Sequence, residues 1–255
     1  HSHALGGSQD PCLCQLNDNT LLCSSYLWVL TPPEWPNFLH KANGGNFGFA
    51  GGYLVRSDDS RHWQGPLDVP PAPGNAAQNY LGQPLPAYNR GRMIHASDGV
   101  LYWVVVRWDT TQPRRTSTHL YASKDRGLTW EYRCPVAADA KASFNETSLV
   151  ETKDGDLVAF MRTGEMEGRA AVARSRDRGK SFEPWQDAGF RGFPQDVIRL
   201  RDGRIFVVYG YRFEPFGVRA RVLAPDARDT ATAAEIILRD DGGSGDLGYP
   251  WAVEL

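Results

Sequence analysis

The sequence predicts an all-β propeller, and three observations predict it. Ser123-Lys124-Asp125-Arg126-Gly127-Leu128-Thr129-Trp130 and Ser175-Arg176-Asp177-Arg178-Gly179-Lys180-Ser181-Phe182 are near-copies of one turn, 52 positions apart. Asp-Gly dipeptides between apolar runs recur at 98, 154 and 202, spaced by 56 and 48, and Asp-Gly so placed is the strongest short hairpin signal. The 26 Gly and 17 Pro are spread along all 255 residues, as many turns and no long helices require. A fixed period in this range marks repeat architectures, and four antiparallel strands per ~50 residues is one propeller blade.

The elements follow in order. Residues 10–16 and 20–23 form the first hairpin around Asn17-Asp18-Asn19. Arg92-Met93-Ile94-His95 turns through Asp98-Gly99 into Val100–Val104, Thr147–Glu151 through Asp154-Gly155 into Leu157–Phe160, and Pro194–Leu200 through Asp202-Gly203 into Ile205–Val208. Each hairpin leads to a third strand, a turn of the Ser-x-Asp-x-Gly-x-Thr/Ser-aromatic type and a fourth strand. In that turn Asp is expected to take backbone N–H bonds, Gly to supply a positive φ, and the aromatic to pack between repeats. The Asp residues are therefore read as scaffold. Ser57–Trp63 and Ala224-Pro225-Asp226 are degraded copies, and Arg174, Arg176 and Arg178 read as an exposed turn. The insertion from Thr31 to Gly52, rich in Pro, Trp and Gly, is expected to loop over the central face. Gly248–Leu255 aligns with Gly192–Arg199 at an offset of 56, so the chain holds one domain over 1–255 of four units plus the first strand of a fifth. The repeat is expected to continue in a longer chain.

Bulk properties narrow the function. At 41% hydrophobic and 23% charged the chain suits a globular protein with a sizeable core. A net charge of −2 favours neither nucleic acid nor an anionic membrane surface, and no apolar run approaches the ~20 residues of a membrane span. Cys12 and Cys14 alternate on one side of a strand, with Cys23 on the next. They read as buried thiols, with a Cys14–Cys23 or Cys12–Cys23 disulfide as the alternative; no metal-ligand spacing is present.

The turns, together with Asn145-Glu146-Thr147-Ser148-Leu149-Val150-Glu151 and Asp154-Gly155 leading to Met161-Arg162-Thr163, resemble the sialidase (neuraminidase) superfamily over essentially the whole chain. The resemblance implies a six-bladed propeller, incomplete in this chain, that removes a terminal sialic acid or related acidic sugar with no metal and no cofactor. By analogy it implies a secreted or periplasmic protein with a carbohydrate partner. Glu146 matches the family's base, Tyr249 its nucleophile and Arg162 its second arginine; the third arginine is Arg219, with Arg212 in reserve. The family's first arginine and its acid/base Asp have no match, and the resemblance places both upstream of His1; otherwise Asp10 is the acid. A Tyr nucleophile suits a substrate carrying a carboxylate beside the anomeric carbon, which would repel an anionic nucleophile. With a pKa near ~10 a phenol needs a base beside it, and Arg presents a planar fork to a carboxylate. The alternatives are a glycan-binding propeller that has lost part of the site, and a propeller glycosidase or polysaccharide lyase for another sugar.

Overall fold

The Asp-Gly dipeptides at 98, 154 and 202 each turn a hairpin. A computed structural model describes residues 6–31, 40–42, 45–67 and 69–255, and among them there are strands and no helix. The first sheet comprises β1 (Gly6–Gln15), β2 (Leu21–Leu30), β3 (His40–Ala42), β4 (Gly45–Ser57) and β5 (Gln64–Leu67), in the order β1-β2-β4-β3 with β5 also on β4. The second comprises β6 (Ile94–His95), β7 (Leu101–Trp108), β8 (Thr116–Ser123) and β9 (Glu131–Ala137). The third is β10 (Ser143–Glu151), β11 (Leu157–Gly164), β12 (Arg169–Ser175) and β13 (Gln186–Arg191). The fourth is β14 (Gln195–Arg199), β15 (Ile205–Tyr211), β16 (Gly217–Leu223) and β17 (Glu235–Arg239). Sheets two to four are antiparallel meanders in chain order. The described residues thus form four blades of a propeller of sialidase type; the resemblance implied six, incomplete in this chain.

The core lies between blades. Leu22 and Leu54 of the first sheet pack with Trp103, Leu101 and Trp130 of the second. Tyr102, Val104 and Leu120 of the second meet Phe144, Leu149 and Met161 of the third, and Val158 and Phe160 of the third meet Val197, Val207 and Tyr209 of the fourth. A strand covered on both faces loses the apolar–polar alternation of a half-exposed one. All eight residues of β8 are accordingly buried.

The Ser-x-Asp-x-Gly turns lock neighbouring blades. Asp125 accepts from the Ser123 hydroxyl (2.8 Å), the Thr129 amide (2.8 Å) and the Thr129 hydroxyl (2.5 Å). Asp177 does the same with Ser175 and Ser181. Gly179 has φ +72°, and a Cβ there would lie 2.5 Å from Leu120 Cδ2 on the preceding blade. In the degraded copy Asp59 still accepts from the Arg61 and His62 amides. The arginines of the second turn are not simply exposed: Arg174 pairs with Asp156 at 2.9 Å and donates to the Asp226 and Ala227 carbonyls, and Arg178 reaches Glu151 at 2.9 Å.

Two expectations are corrected. The insertion after Thr31 is not all loop: β3 and the start of β4 fall within it and extend the first sheet, while 32–39 and 43–44 lie outside the described residues. Residues 248–255 form no strand. They are held by side chains instead: the Ala252 amide donates to Asp196 (2.7 Å), its carbonyl accepts from Arg92 (2.8 Å), and Trp251 lies beneath the Arg92 guanidinium. All four cysteines are free, and burial pushes the thiols of Cys12, Cys14 and Cys134 up to about 11.

Candidate active site

The starts of successive blades supply one cluster. Asp10 lies on β1 and Glu146 on β10, each at a register shift and each with positive φ, 54° and 31°. A bulge re-aims the side chain of the strand that carries it, so both carboxylates leave the pleat. Arg90 precedes β6, and Tyr249 follows the last sheet. Second strands contribute Tyr26 on β2 and Arg162 on β11, and Arg212 immediately follows β15.

These residues pair off around one arginine. The Tyr249 hydroxyl donates to Glu146 Oε1 at 3.3 Å, and Glu146 Oε2 accepts from Arg162 Nη1 at 2.9 Å. Opposite, the Tyr26 hydroxyl donates to Asp10 Oδ2, and Arg90 Nε lies 3.7 Å from the same oxygen. The Arg90 guanidinium also stacks on the Tyr249 ring. Arg212 stands 5.3 Å from that ring, with its Nη2 bonded to the Leu247 carbonyl (3.0 Å) and Asp246 3.7 Å away. Phe193 lies under Arg162 at 4.4 Å and under Arg212 at 5.4 Å, and rests both guanidinia on one ring.

Burial dominates the ionisation of the cluster. It raises the Tyr249 phenol, and the Glu146 carboxylate adds to the rise, while Arg90 acts against both. Burial also raises Tyr26, helped by its bond to Asp10. It lowers Arg90, against the pull of Asp10, Tyr249 and Glu146. Charged groups removed from water tend to their neutral forms unless opposite charges stand close. A phenol bonded to a carboxylate, with guanidinia alongside, can pass its proton to that carboxylate and attack as an oxyanion.

The structure brings together Glu146, Tyr249, Arg162, Asp10 and Arg212. It does not bring in Arg219, whose side chain is 3% exposed and donates to the Pro215 and Arg239 carbonyls beside Glu235. Arg219 lies within β16, the third strand of its blade, between Tyr211 and β17. Sequence reasoning missed Arg90 and Tyr26. The signal for Arg90 was its position: Asp10, Arg90 and Glu146 each stand eight residues ahead of a hairpin Asp, at 18, 98 and 154. Among the described residues no three His, Cys, Asp or Glu side chains converge as a metal site requires, and no helix is long and apolar enough to cross a membrane.

Comparison with known proteins agrees with this fold. A protein of unknown function from Dyadobacter fermentans superposes with a TM-score of 0.93 at 49% identity, over 100% of this chain and 71% of that one. The NanB sialidase of Streptococcus pneumoniae superposes with a TM-score of 0.62 at 13% identity, over 94% of this chain and 50% of that one. The α-L-arabinanase of Penicillium chrysogenum, complexed with arabinobiose, gives a TM-score of 0.60 at 19% identity, over 91% and 66%. This chain thus spans half the length of the sialidase and 66% of the arabinanase. No curated protein matches the chain. The BNR repeat-like domain matches residues 11–254, so the chain belongs to that family.

Proposed function

We propose that this propeller is a glycoside hydrolase that removes a terminal acidic sugar, sialic acid or a relative, through a covalent intermediate on Tyr249. The observation that carries the reading is the bond from the Tyr249 hydroxyl to Glu146, made across 103 residues of sequence on the face where the blades converge. Glu146 takes the phenolic proton as the Tyr249 oxygen bonds to the anomeric carbon and the glycosidic C–O bond breaks. Asp10 gives a proton to the leaving oxygen, then accepts one from the water that releases the sugar, while Glu146 returns its proton to the Tyr249 oxygen. Two displacements retain the anomeric configuration. Arg162 and Arg212, resting on Phe193, are the forks for the substrate carboxylate.

A second reading takes Asp10 and Glu146 as a carboxylate pair acting on a neutral sugar. It is favoured by the engagement of the arginines: Arg162 is already paired with Glu146 and Arg90 with Asp10. One experiment separates the two. A fluorogenic sialoside and a fluorogenic arabinofuranoside are offered to the protein and to Tyr249→Phe. Sialoside hydrolysis lost in Tyr249→Phe supports the first reading. Arabinofuranoside hydrolysis that survives in Tyr249→Phe and fails in Glu146→Gln supports the second. Full sialoside turnover by Tyr249→Phe would sink the nucleophile assignment.

A further inference from the structure

Asp10 owes its direction to a bulge. Gln9 pairs with Tyr26 and Cys12 with Ser24, so Asp10 and Pro11 together oppose Ser25 alone. In a regular strand Asp10 would pair with Ser25. Successive side chains leave opposite faces of a sheet, so its carboxylate would then point away from Tyr26. The extra residue turns it back: Asp10 has φ 54°, and its Oδ2 accepts the Tyr26 hydroxyl. The bulge is pinned from the other strand, where the Ser25 hydroxyl donates to the Gln9 carbonyl at 2.8 Å.

Tyr26 is fixed in its turn. Its ring packs edge-on against Phe49 and Tyr88, with centroids 5.6 and 6.1 Å away. Burial raises its phenol, and the bond to Asp10 adds to the rise, so Tyr26 keeps its proton and serves Asp10 as a donor. Arg90 Nε stands 3.7 Å from the same Oδ2. One oxygen of Asp10 is thus engaged twice, while Oδ1 bonds to no described residue and the side chain stays 12% exposed. A carboxyl group with two donors aimed at one oxygen carries its own proton on the other.

We propose that Tyr26 is a positioning residue for the acid step: it holds Oδ2 of Asp10 so that Oδ1 delivers the proton to the leaving oxygen. The proposal rests on the glycoside hydrolase reading and applies to either sugar considered there. In the step, the Oδ1–H bond and the glycosidic C–O bond break together. The leaving oxygen keeps the electron pair of the C–O bond and takes the proton. Asp10 is left as a carboxylate, and the Tyr26 hydroxyl steadies it through a charge-assisted hydrogen bond. Water later returns a proton to Oδ1. Tyr26 acts through Asp10 and not on the sugar.

The test compares glycosides whose leaving groups differ in the proton they need. A 4-nitrophenyl glycoside releases a weakly basic phenolate and needs little help, whereas a benzyl glycoside releases an alcohol and needs the acid. Both are offered, as sialosides and as α-L-arabinofuranosides, to the parent, to Tyr26→Phe and to Asp10→Asn. kcat/KM is read on the sugar that the parent cleaves. Tyr26→Phe keeps the ring on Phe49 and Tyr88 and loses the hydroxyl alone. Its ratio of benzyl to nitrophenyl kcat/KM is expected to fall roughly tenfold, the scale of one hydrogen bond to a charged group, and the ratio for Asp10→Asn should fall further. A merely structural role would lower both substrates alike. If Tyr26→Phe fails to fold, Phe49→Leu unseats the ring but keeps the hydroxyl, and it should lower the same ratio several-fold. An unchanged ratio in the folded Tyr26 variant, or in Phe49→Leu standing in for it, would overturn the proposal and leave the hydrolase reading intact. An unchanged ratio in Asp10→Asn would remove Asp10 as the acid and the proposal with it, while cleavage by the parent still supports a glycosidase. Cleavage of none of the four glycosides by the parent would overturn both.

Discussion

Asp196→Ala is expected to loosen the segment that carries Tyr249. Asp196 is 2% exposed at its side chain and takes two hydrogen bonds from Arg92, Nε to Oδ1 and Nη2 to Oδ2, each 2.9 Å. Its Oδ2 also accepts the Ala252 amide at 2.7 Å. The variant leaves the Arg92 guanidinium, 19% exposed, with the Ala252 carbonyl and the Trp251 ring as its remaining contacts. Removing one member of a buried pair costs about 3–5 kcal/mol, and the partial access of Arg92 to water puts this case near 3 kcal/mol. For a chain of this size that lowers Tm by about 6–12 °C, at roughly 2–4 °C per kcal/mol. Thermal unfolding by circular dichroism reads the shift, and amide exchange across 249–252 reads the local release. Arg204→Ala, which removes the exposed pair with Asp202 and leaves Asp202 bonded to the amide of residue 204 in its turn, is the control and should leave Tm unchanged. A Tm within 2 °C of the parent for Asp196→Ala, or unaltered exchange at 249–252, would refute the claim that this pair docks the tail.

Other outcomes follow from the same contacts. Glu146→Gln removes the carboxylate that raises the Tyr249 phenol, so the Tyr249 contribution to the 295 nm titration, taken by difference from Tyr249→Phe, should move to lower pH; an upward move would contradict the pairing. Asp177 is held at about 2 by its bonds to Ser181, Ser175 and the turn amides, below the ordinary Asp value. Its stabilisation is therefore complete above about pH 4 and lost as pH falls through about 2, and Asp177→Asn should flatten that part of the stability profile measured by urea unfolding. Gly179→Ala combines a positive φ with a clash on Leu120 and should cost about 2–4 kcal/mol in urea unfolding. Asp125→Ala should lower Tm by several degrees without altering sugar binding, since Asp125 bonds only within its own turn.

Local chemistry made most of the fold legible. Asp-Gly at 98, 154 and 202 and the two turns around Asp125 and Asp177 place three blades before any contact is known, because a hairpin and a pinned turn are decided by neighbours in sequence. The tail was less legible because its contacts are not local, and the insertion because its hairpin, though local, carries no strand pattern. Residues 248–255 match a first strand in pattern but bond to Asp196 and Arg92, and β3 pairs with β4 inside a stretch rich in loop-forming residues. In the candidate site, motif position singled out Glu146, Arg162 and Tyr249, which lie in contact with one another. Arg212 and Arg219 could not be separated that way, since strand-end and mid-strand arginines look alike until the register of β15 on β16 is known. Tyr26 carried no signal, being one aromatic among many on β2.

The repeat explains how such a site is built. Asp10, Arg90 and Glu146 occupy one repeat position, eight residues ahead of the hairpin Asp, so the scaffold that spaces the turns also aims these three side chains at one face. Positive φ at Asp10 and Glu146 is unfavourable for residues with a Cβ, by roughly 1–3 kcal/mol each, and a regular strand would avoid it. The bulges persist where the side chains they re-aim each meet a tyrosine and an arginine: Tyr26 and Arg90 at Asp10, Tyr249 and Arg162 at Glu146. Arg90 faces both pairs, bonded to one carboxylate and stacked on the tyrosine of the other. Arg90→Met should therefore disturb both halves together, raising the Tyr249 phenol by removing the positive charge beside it and freeing Asp10 of its cation. An effect confined to one half would mean that the two pairs act independently.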